Sequence, residues 1–118
     1  DILDTAYGYE FGPVLFKPTL SGGAQTFRTT KQGALSYFVG HDPDFPQDMG
    51  FALRGWRQTE ARPAARFIDG DVAMWMGWMV FTDKHGQVVQ TDKSFGYRKD
   101  AEGRMRIVLH HSSLPYQP

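Results

Sequence analysis

From Val72 to Thr82 the chain reads Val-Ala-Met-Trp-Met-Gly-Trp-Met-Val-Phe-Thr, and this stretch limits the fold more than any other. Alternation along a strand would put Val72, Met74, Met76, Trp78 and Val80 on one face and Ala73, Trp75, Gly77, Met79 and Phe81 on the other. A strand with one wet face alternates apolar with polar residues, and this one does not. Both of its faces therefore need a cover. Helices of the same chain can supply one, and a second subunit is the expected supplier of the other.

Turn chemistry around this strand predicts its neighbours. Asp69-Gly70-Asp71 is a hairpin signal, preceded by strand-like runs over Phe51–Ala61, broken near Gly55, and Ala64–Ile68. Asp83-Lys84-His85-Gly86 leads into Gln87–Lys99, and Asp100-Ala101-Glu102-Gly103 leads into Arg104–Ser113. Upstream, Asp1–Tyr9 reads as the end of a helix stopped by Gly8. Gly12–Thr19 reads as a short strand closed by Pro18, and Gln25–Arg28 as a second strand pairing with it across the Ser21–Ala24 turn. Thr29-Thr30 offers an N-cap for a helix over Lys31–Val39, with Ala34, Leu35 and Phe38 on one side and Gly40 as its stop. His41–Gly50, rich in Pro and Asp, is a loop. The order predicts an α+β domain with helices on one face of a twisted antiparallel sheet. At 118 residues, without repeat or linker, residues 1–118 read as one domain.

Formal charge sums to zero, so the basic stripe of a nucleic-acid binder is missing, as is attraction to an anionic membrane surface. No apolar run is long enough to span a bilayer as a helix. Without cysteine there is no disulfide, zinc ribbon or thiol nucleophile. Aromatic residues make up 14% of the chain, enough for an aromatic-walled cavity or a wide interface.

The polar end of the last strand, His110-His111-Ser112-Ser113, is the richest candidate for chemistry. Adjacent histidines on a strand point to opposite faces, and His41 and His85 fall in turns. No His-x-His or His-Glu-x-x-His spacing occurs, so no metal site is expected. No Gly-x-Ser-x-Gly elbow accompanies the serines, which argues for strand-end serines bonded to backbone over a nucleophile. Neither Gly-rich phosphate motif is present. Period-two reading groups Ser113 with Met105, Ile107 and Leu109, and Ser112 with His110.

Four segments then carry a resemblance: Gly12-Pro13-Val14-Leu15-Phe16-Lys17-Pro18-Thr19, Gln25-Thr26-Phe27-Arg28-Thr29-Thr30-Lys31, Gly33-Ala34-Leu35-Ser36-Tyr37-Phe38-Val39-Gly40 and Leu109-His110-His111-Ser112-Ser113-Leu114-Pro115-Tyr116. Together they resemble the iota-class carbonic anhydrases, relatives of the calcium/calmodulin-dependent kinase II association domain. The resemblance implies a nuclear-transport-factor-2-like cone, a curved antiparallel sheet wrapped around helices, with an N-terminal helix beginning before Asp1. It implies pairing of two copies through the outer sheet face, and a bacterial periplasm or an algal chloroplast as the setting. The implied activity is reversible hydration of carbon dioxide to bicarbonate without a cofactor, although manganese has been claimed for some members. The family's threonine, tyrosine and serine fall on Thr19, Tyr37 and Ser112 as catalytic and substrate-binding groups, with His110 as a further substrate-binding candidate. That match selects Ser112, whereas the apolar face selects Ser113 unless a bulge intervenes. Lys17 or Arg28, if close, would lower the tyrosine's pKa. The competing readings are a non-catalytic association module of the kinase hub type and a cone-fold isomerase or cyclase using an Asp-His pair.

Overall fold

A computed structural model describes residues 2–118, so Asp1, the first residue of the expected helix end, lies outside the described residues. Two helices, α1 (Ile2–Ala6) and α2 (Lys31–Val39), pack on a five-stranded sheet of β1 (Leu15–Lys17), β2 (Trp56–Asp69), β3 (Val72–Asp83), β4 (Val88–Lys99) and β5 (Met105–Ser113). The strand order is β1-β5-β4-β3-β2. The last four strands form an antiparallel meander, as their turn signals predict. Gly70, at φ 55°, supplies the positive φ that the two-residue β2–β3 turn needs.

Three expectations are corrected. Residues 25–28 are not a strand, and no hairpin forms with β1. Ser21 Oγ donates to Thr26 O and Thr26 Oγ1 donates to Gly23 O, so local hydroxyl bonds fold this segment into turns. One backbone bond, Arg28 N to Phe16 O, lays it beside β1. β1 instead pairs in parallel with β5 (Phe16 opposite His110), which makes the sheet mixed. Finally, the two strands expected over 51–61 and 64–68 are one: Phe51–Leu53 is a 3-10 turn, and β2 runs unbroken through an irregularity between Pro63 and Ala65. That irregularity lies against Gly77, where a Cβ would stand 2.4 Å from Arg62 O; only glycine fits there.

α2 follows its sequence signals. Thr30 accepts a bond from Gly33 N, and Gly40 closes the helix at φ 69° with its N–H on Ser36 O. Its buried face is Gly33, Ala34, Ser36 and Tyr37, while Leu35 stays 39% exposed. α2 docks through glycine and tyrosine because Arg28 and the Phe45 ring press on Gly33. The core is Leu3, Tyr7, Val14, Phe16, Ala34, Tyr37 and Phe51, set between the helices and the β1-β5-β4 side of the sheet. β2 meets the core through Trp56, and its residues beyond Trp56 are exposed. On the outer face of β3, Val72, Met74, Met76 and Trp78 are all at least 40% exposed.

Candidate active site

One extra residue on β5 sets the site. Gly96 pairs with Leu109 but Tyr97 pairs with Ile107, so Val108 is unmatched and forms a bulge. The bulge reverses the alternation. Ile107 packs on the core, and beyond Val108 it is His110 and Ser112 that turn inward, 4% and 0% exposed. Ser113 turns outward, where its hydroxyl donates to Asp92 Oδ1 at 2.5 Å. Of the two serines, Ser112 is the inward one.

Beside Ser112 lies Thr19, just past the end of β1, with the two hydroxyls 2.6 Å apart and both residues buried. Pro18 cannot donate to a ladder, so the chain leaves the sheet there and swings Thr19 over the end of β5. Lys17 locks that geometry by donating to Pro18 O at 3.0 Å and Ser112 O at 2.8 Å. The third hydroxyl comes from α2. Tyr37 Oη accepts Leu20 N at 3.2 Å and is hydrogen-bonded by the Thr19 side chain. Thr19, Tyr37 and Ser112 therefore form one connected set.

Burial raises the Tyr37 phenol above its ordinary pKa, against the lowering effect of the bonds from Leu20 and Thr19. Neither Lys17 nor Arg28 acts on it as the sequence suggested. Lys17 is spent on carbonyls and Arg28 on Asp48, and the Asp48 carboxylate raises the phenol further. Tyr37 is thus a neutral hydrogen-bond donor at physiological pH, and its ring stands edge-on to Phe16 and stacks on Phe51.

His110 is clamped. Its ring is stacked between Phe16 on one neighbouring strand, 4.6 Å between centroids, and Phe95 on the other, 4.2 Å. Nδ1 meets Tyr7 Oη at 2.8 Å and Nε2 meets Lys93 Nζ at 2.9 Å, so both ring nitrogens are engaged within the protein. Burial, then the Lys93 charge, drives the imidazole pKa far below its usual value, which keeps the ring neutral. A charged Lys93 donates to Nε2, which leaves the ring proton on Nδ1 facing Tyr7 Oη.

The outer wall is built on a buried ion pair. Arg28 grips Asp48 with two bonds of 2.6 and 2.7 Å, and Ser36 Oγ donates to the same carboxylate at 2.7 Å. This ties the 41–50 loop to α2. A cleft of about 340 Å³ lined by Leu20, Tyr37, Asp48, Phe51 and Arg54, among others, opens over the Tyr37 side of the hydroxyl set.

Of the four residues that the family resemblance singled out, Thr19, Tyr37 and Ser112 are hydrogen-bonded to one another, whereas His110 spends both ring nitrogens on Tyr7 and Lys93. Sequence reasoning passed over Lys93, Tyr7 and Asp48. Lys93 left a readable trace, because Thr91, Lys93, Phe95 and Tyr97 alternate, and a cation on the face that carries two aromatics is out of place unless it has work there. Tyr7 and Asp48 left none, since their partners lie far off in sequence. Among the described residues, no three of His, Asp and Glu group to hold a metal ion, and manganese has no oxygen-rich donor set here.

The sequence model of a family described as metal-independent carbonic anhydrase matches residues 1–114. A metal-independent carbonic anhydrase of Nostoc sp. is 55% identical over 116 residues, which is 98% of this chain and 57% of the relative; the chain thus spans little more than half of that protein. A crystal structure of a cyanobacterial iota-carbonic anhydrase complexed with bicarbonate superposes with a TM-score of 0.97 at 55% identity, covering 99% of this chain and 71% of that one. A Xanthomonas campestris protein described as a calcium/calmodulin-dependent protein kinase II association domain superposes at 0.62 with 25% identity, covering 99% and 74%. The chain belongs to the metal-independent carbonic anhydrase family.

Proposed function

We propose that this chain catalyses the reversible hydration of carbon dioxide to bicarbonate without a metal, at Thr19, Tyr37 and Ser112. The observation that carries the reading is the buried 2.6 Å Thr19–Ser112 hydroxyl pair joined to Tyr37, in a fold that matches a bicarbonate-bound relative. In the reaction, a water oxygen bonds to carbon and one water proton leaves to solvent. Negative charge grows on the former carbon dioxide oxygens as the molecule bends. With Ser112 donating to Thr19 and Thr19 to Tyr37, the phenol keeps the one free proton of the set and donates it in a hydrogen bond to those oxygens. The lone pairs of Ser112 orient the attacking water. Such a donor, fixed beforehand in an aromatic-walled site, acts on the transition state more than on apolar carbon dioxide. Metal enzymes instead lower the pKa of bound water, which hydroxyls alone do not do.

The test is carbon dioxide hydration by the purified domain after exhaustive chelation. Activity retained without metal is the expected result. Activity that returns only with added manganese would overturn the metal-free mechanism, and a folded but inert protein would favour the association-module reading.

The same reading assigns the exposed row Val72, Met74, Met76 and Trp78, with Phe67 of β2 opposite Met74, to a homodimer contact. A contiguous apolar face of this kind is ordinarily covered in solution. Sedimentation is expected to give a dimer for the native protein and a monomer for Met76→Glu; a monomeric native protein would remove the proposal.

A further inference from the structure

Lys93 is a buried cation that pairs with no carboxylate among the described residues. The residue is 8% exposed, its ammonium contacts one polar partner, His110 Nε2, and it lies 5.5 Å from the Phe81 ring centroid and 5.8 Å from that of Phe95. Among the described residues, every ion pair involves some other cation. The nearest acid in sequence, Asp92, faces the opposite side of β4 and binds Ser113. A buried charge left in this state costs several kcal/mol unless something compensates it, and a neutral imidazole is a poor counter-charge. In register, Lys93 stands directly opposite Ser112 on the neighbouring strand. At that spacing their Cβ atoms are about 5 Å apart, so Lys93 and Ser112 leave the sheet side by side on one face.

We propose that Lys93 is the counter-ion of the bicarbonate anion. It holds the product, and the negative charge that precedes it, against Thr19, Tyr37 and Ser112, while His110 and Tyr7 fix where its ammonium points. The inference rests on the function proposed above and adds a residue that function did not require. Lys93 keeps its own protons; the proton lost from water goes to solvent. The arrangement explains why a lysine faces Phe81 and Phe95 in a family that acts on an anion. It also explains the clamp on His110. With both ring faces stacked and Nδ1 held by Tyr7, Nε2 presents a fixed lone pair that aims the ammonium.

Burial alone pulls the Lys93 pKa down to about 8. The titratable groups that face it are His110 on β5 and, through that ring, Tyr7 after α1. Neither is a carboxylate, and Asp48 beyond Tyr37 is neutralised by Arg28. Lys93 thus loses charge at lower pH than an ordinary lysine, and bicarbonate should bind the protonated form.

The experiment is calorimetric titration with sodium bicarbonate at pH 7.5 and pH 9 on the native protein, Lys93→Met and Lys93→Arg, with melting temperatures and carbon dioxide hydration measured alongside. Native affinity should fall roughly tenfold between the two pH values, as expected for proton loss from a group of pKa about 8. Lys93→Met should bind at least tenfold more weakly at pH 7.5 and lose the pH step, yet melt higher, because a merely structural lysine would do the reverse. Lys93→Arg should bind at both pH values, since its charge persists. Native-like affinity in Lys93→Met, or a pH step that survives in Lys93→Arg, would overturn the proposal. If Lys93→Met does not fold, the pH step in the native protein and its loss in Lys93→Arg decide. A native protein that hydrates carbon dioxide while Lys93→Met binds normally refutes Lys93 and leaves the enzyme reading intact. A native protein that shows the pH-dependent binding without hydration refutes the enzyme reading and leaves the anion site. No bicarbonate binding at all refutes this proposal whatever the activity.

Discussion

Asp48→Ala is expected to destabilise the fold by about 3–5 kcal/mol, read from urea unfolding at neutral pH, a large share of what a domain of this size possesses. The reason is what stays behind. Arg28 and Asp48 side chains are 3% and 4% exposed, and the carboxylate takes both guanidinium bonds. Without it, the Arg28 charge remains buried with only the Gln25 and Gly33 carbonyls, and the Ser36 hydroxyl loses its acceptor. Pairing Asp48→Leu with Arg28→Met should recover much of the loss, since an apolar pair of similar volume avoids the stranded charge. Burial raises the Asp48 carboxyl pKa, but the bonds from Arg28 and Ser36 outweigh it and hold the group below its ordinary 3.8. A depressed carboxyl stabilises fully above its unfolded value and loses that stabilisation as pH falls through the folded one. The pair's contribution should therefore be constant at neutral pH and vanish only below about pH 4. A cost under about 1 kcal/mol would mean that the wall of the cleft does not depend on this pair.

Which parts of this molecule could be read from its residues follows from how local their causes are. α2 was legible because Thr30 and Gly40 cap it from adjacent positions. The β2–β3, β3–β4 and β4–β5 turns were legible for the same reason, each carrying its own glycine at positive φ. β1 was misassigned to a hairpin because strand pairing is chosen by tertiary contacts: Phe16 gains more by stacking on His110 than by a ladder with 25–28. Ser112 and Ser113 could not be separated by alternation, since one unmatched residue, Val108, reverses every position after it. Motif likeness chose Ser112, whereas period counting alone favoured Ser113. Lys93 needed the register with Ser112 before its place made sense, and registers across sequence-distant strands are not written in either strand alone.

Tyr37→Phe and Ser112→Ala should each lower kcat/KM for carbon dioxide hydration by about a hundredfold or more while leaving the protein folded. Tyr37→Phe keeps the ring that packs on Phe16 and Phe51 and removes only the hydroxyl, so any loss reports the missing donor and not the core. Its stability cost should be about 1 kcal/mol, from Leu20 N–H losing its acceptor. Ser112→Ala removes half of the Thr19 pair at a fully buried position, and the remaining Thr19 hydroxyl is free to rotate away from its set direction. Because Thr19 and Ser112 act as one hydrogen-bonded unit, Thr19→Val combined with Ser112→Ala should be little worse than either alone, whereas adding Tyr37→Phe to Ser112→Ala should deepen the loss. Since the phenol pKa is raised, ionisation of Tyr37 should impose no alkaline loss of activity near neutrality. Full hydration activity in a folded Tyr37→Phe protein would remove the phenol from the mechanism. Additive losses for Thr19→Val and Ser112→Ala would show that the two hydroxyls serve separate atoms of the substrate instead of sharing one proton between them.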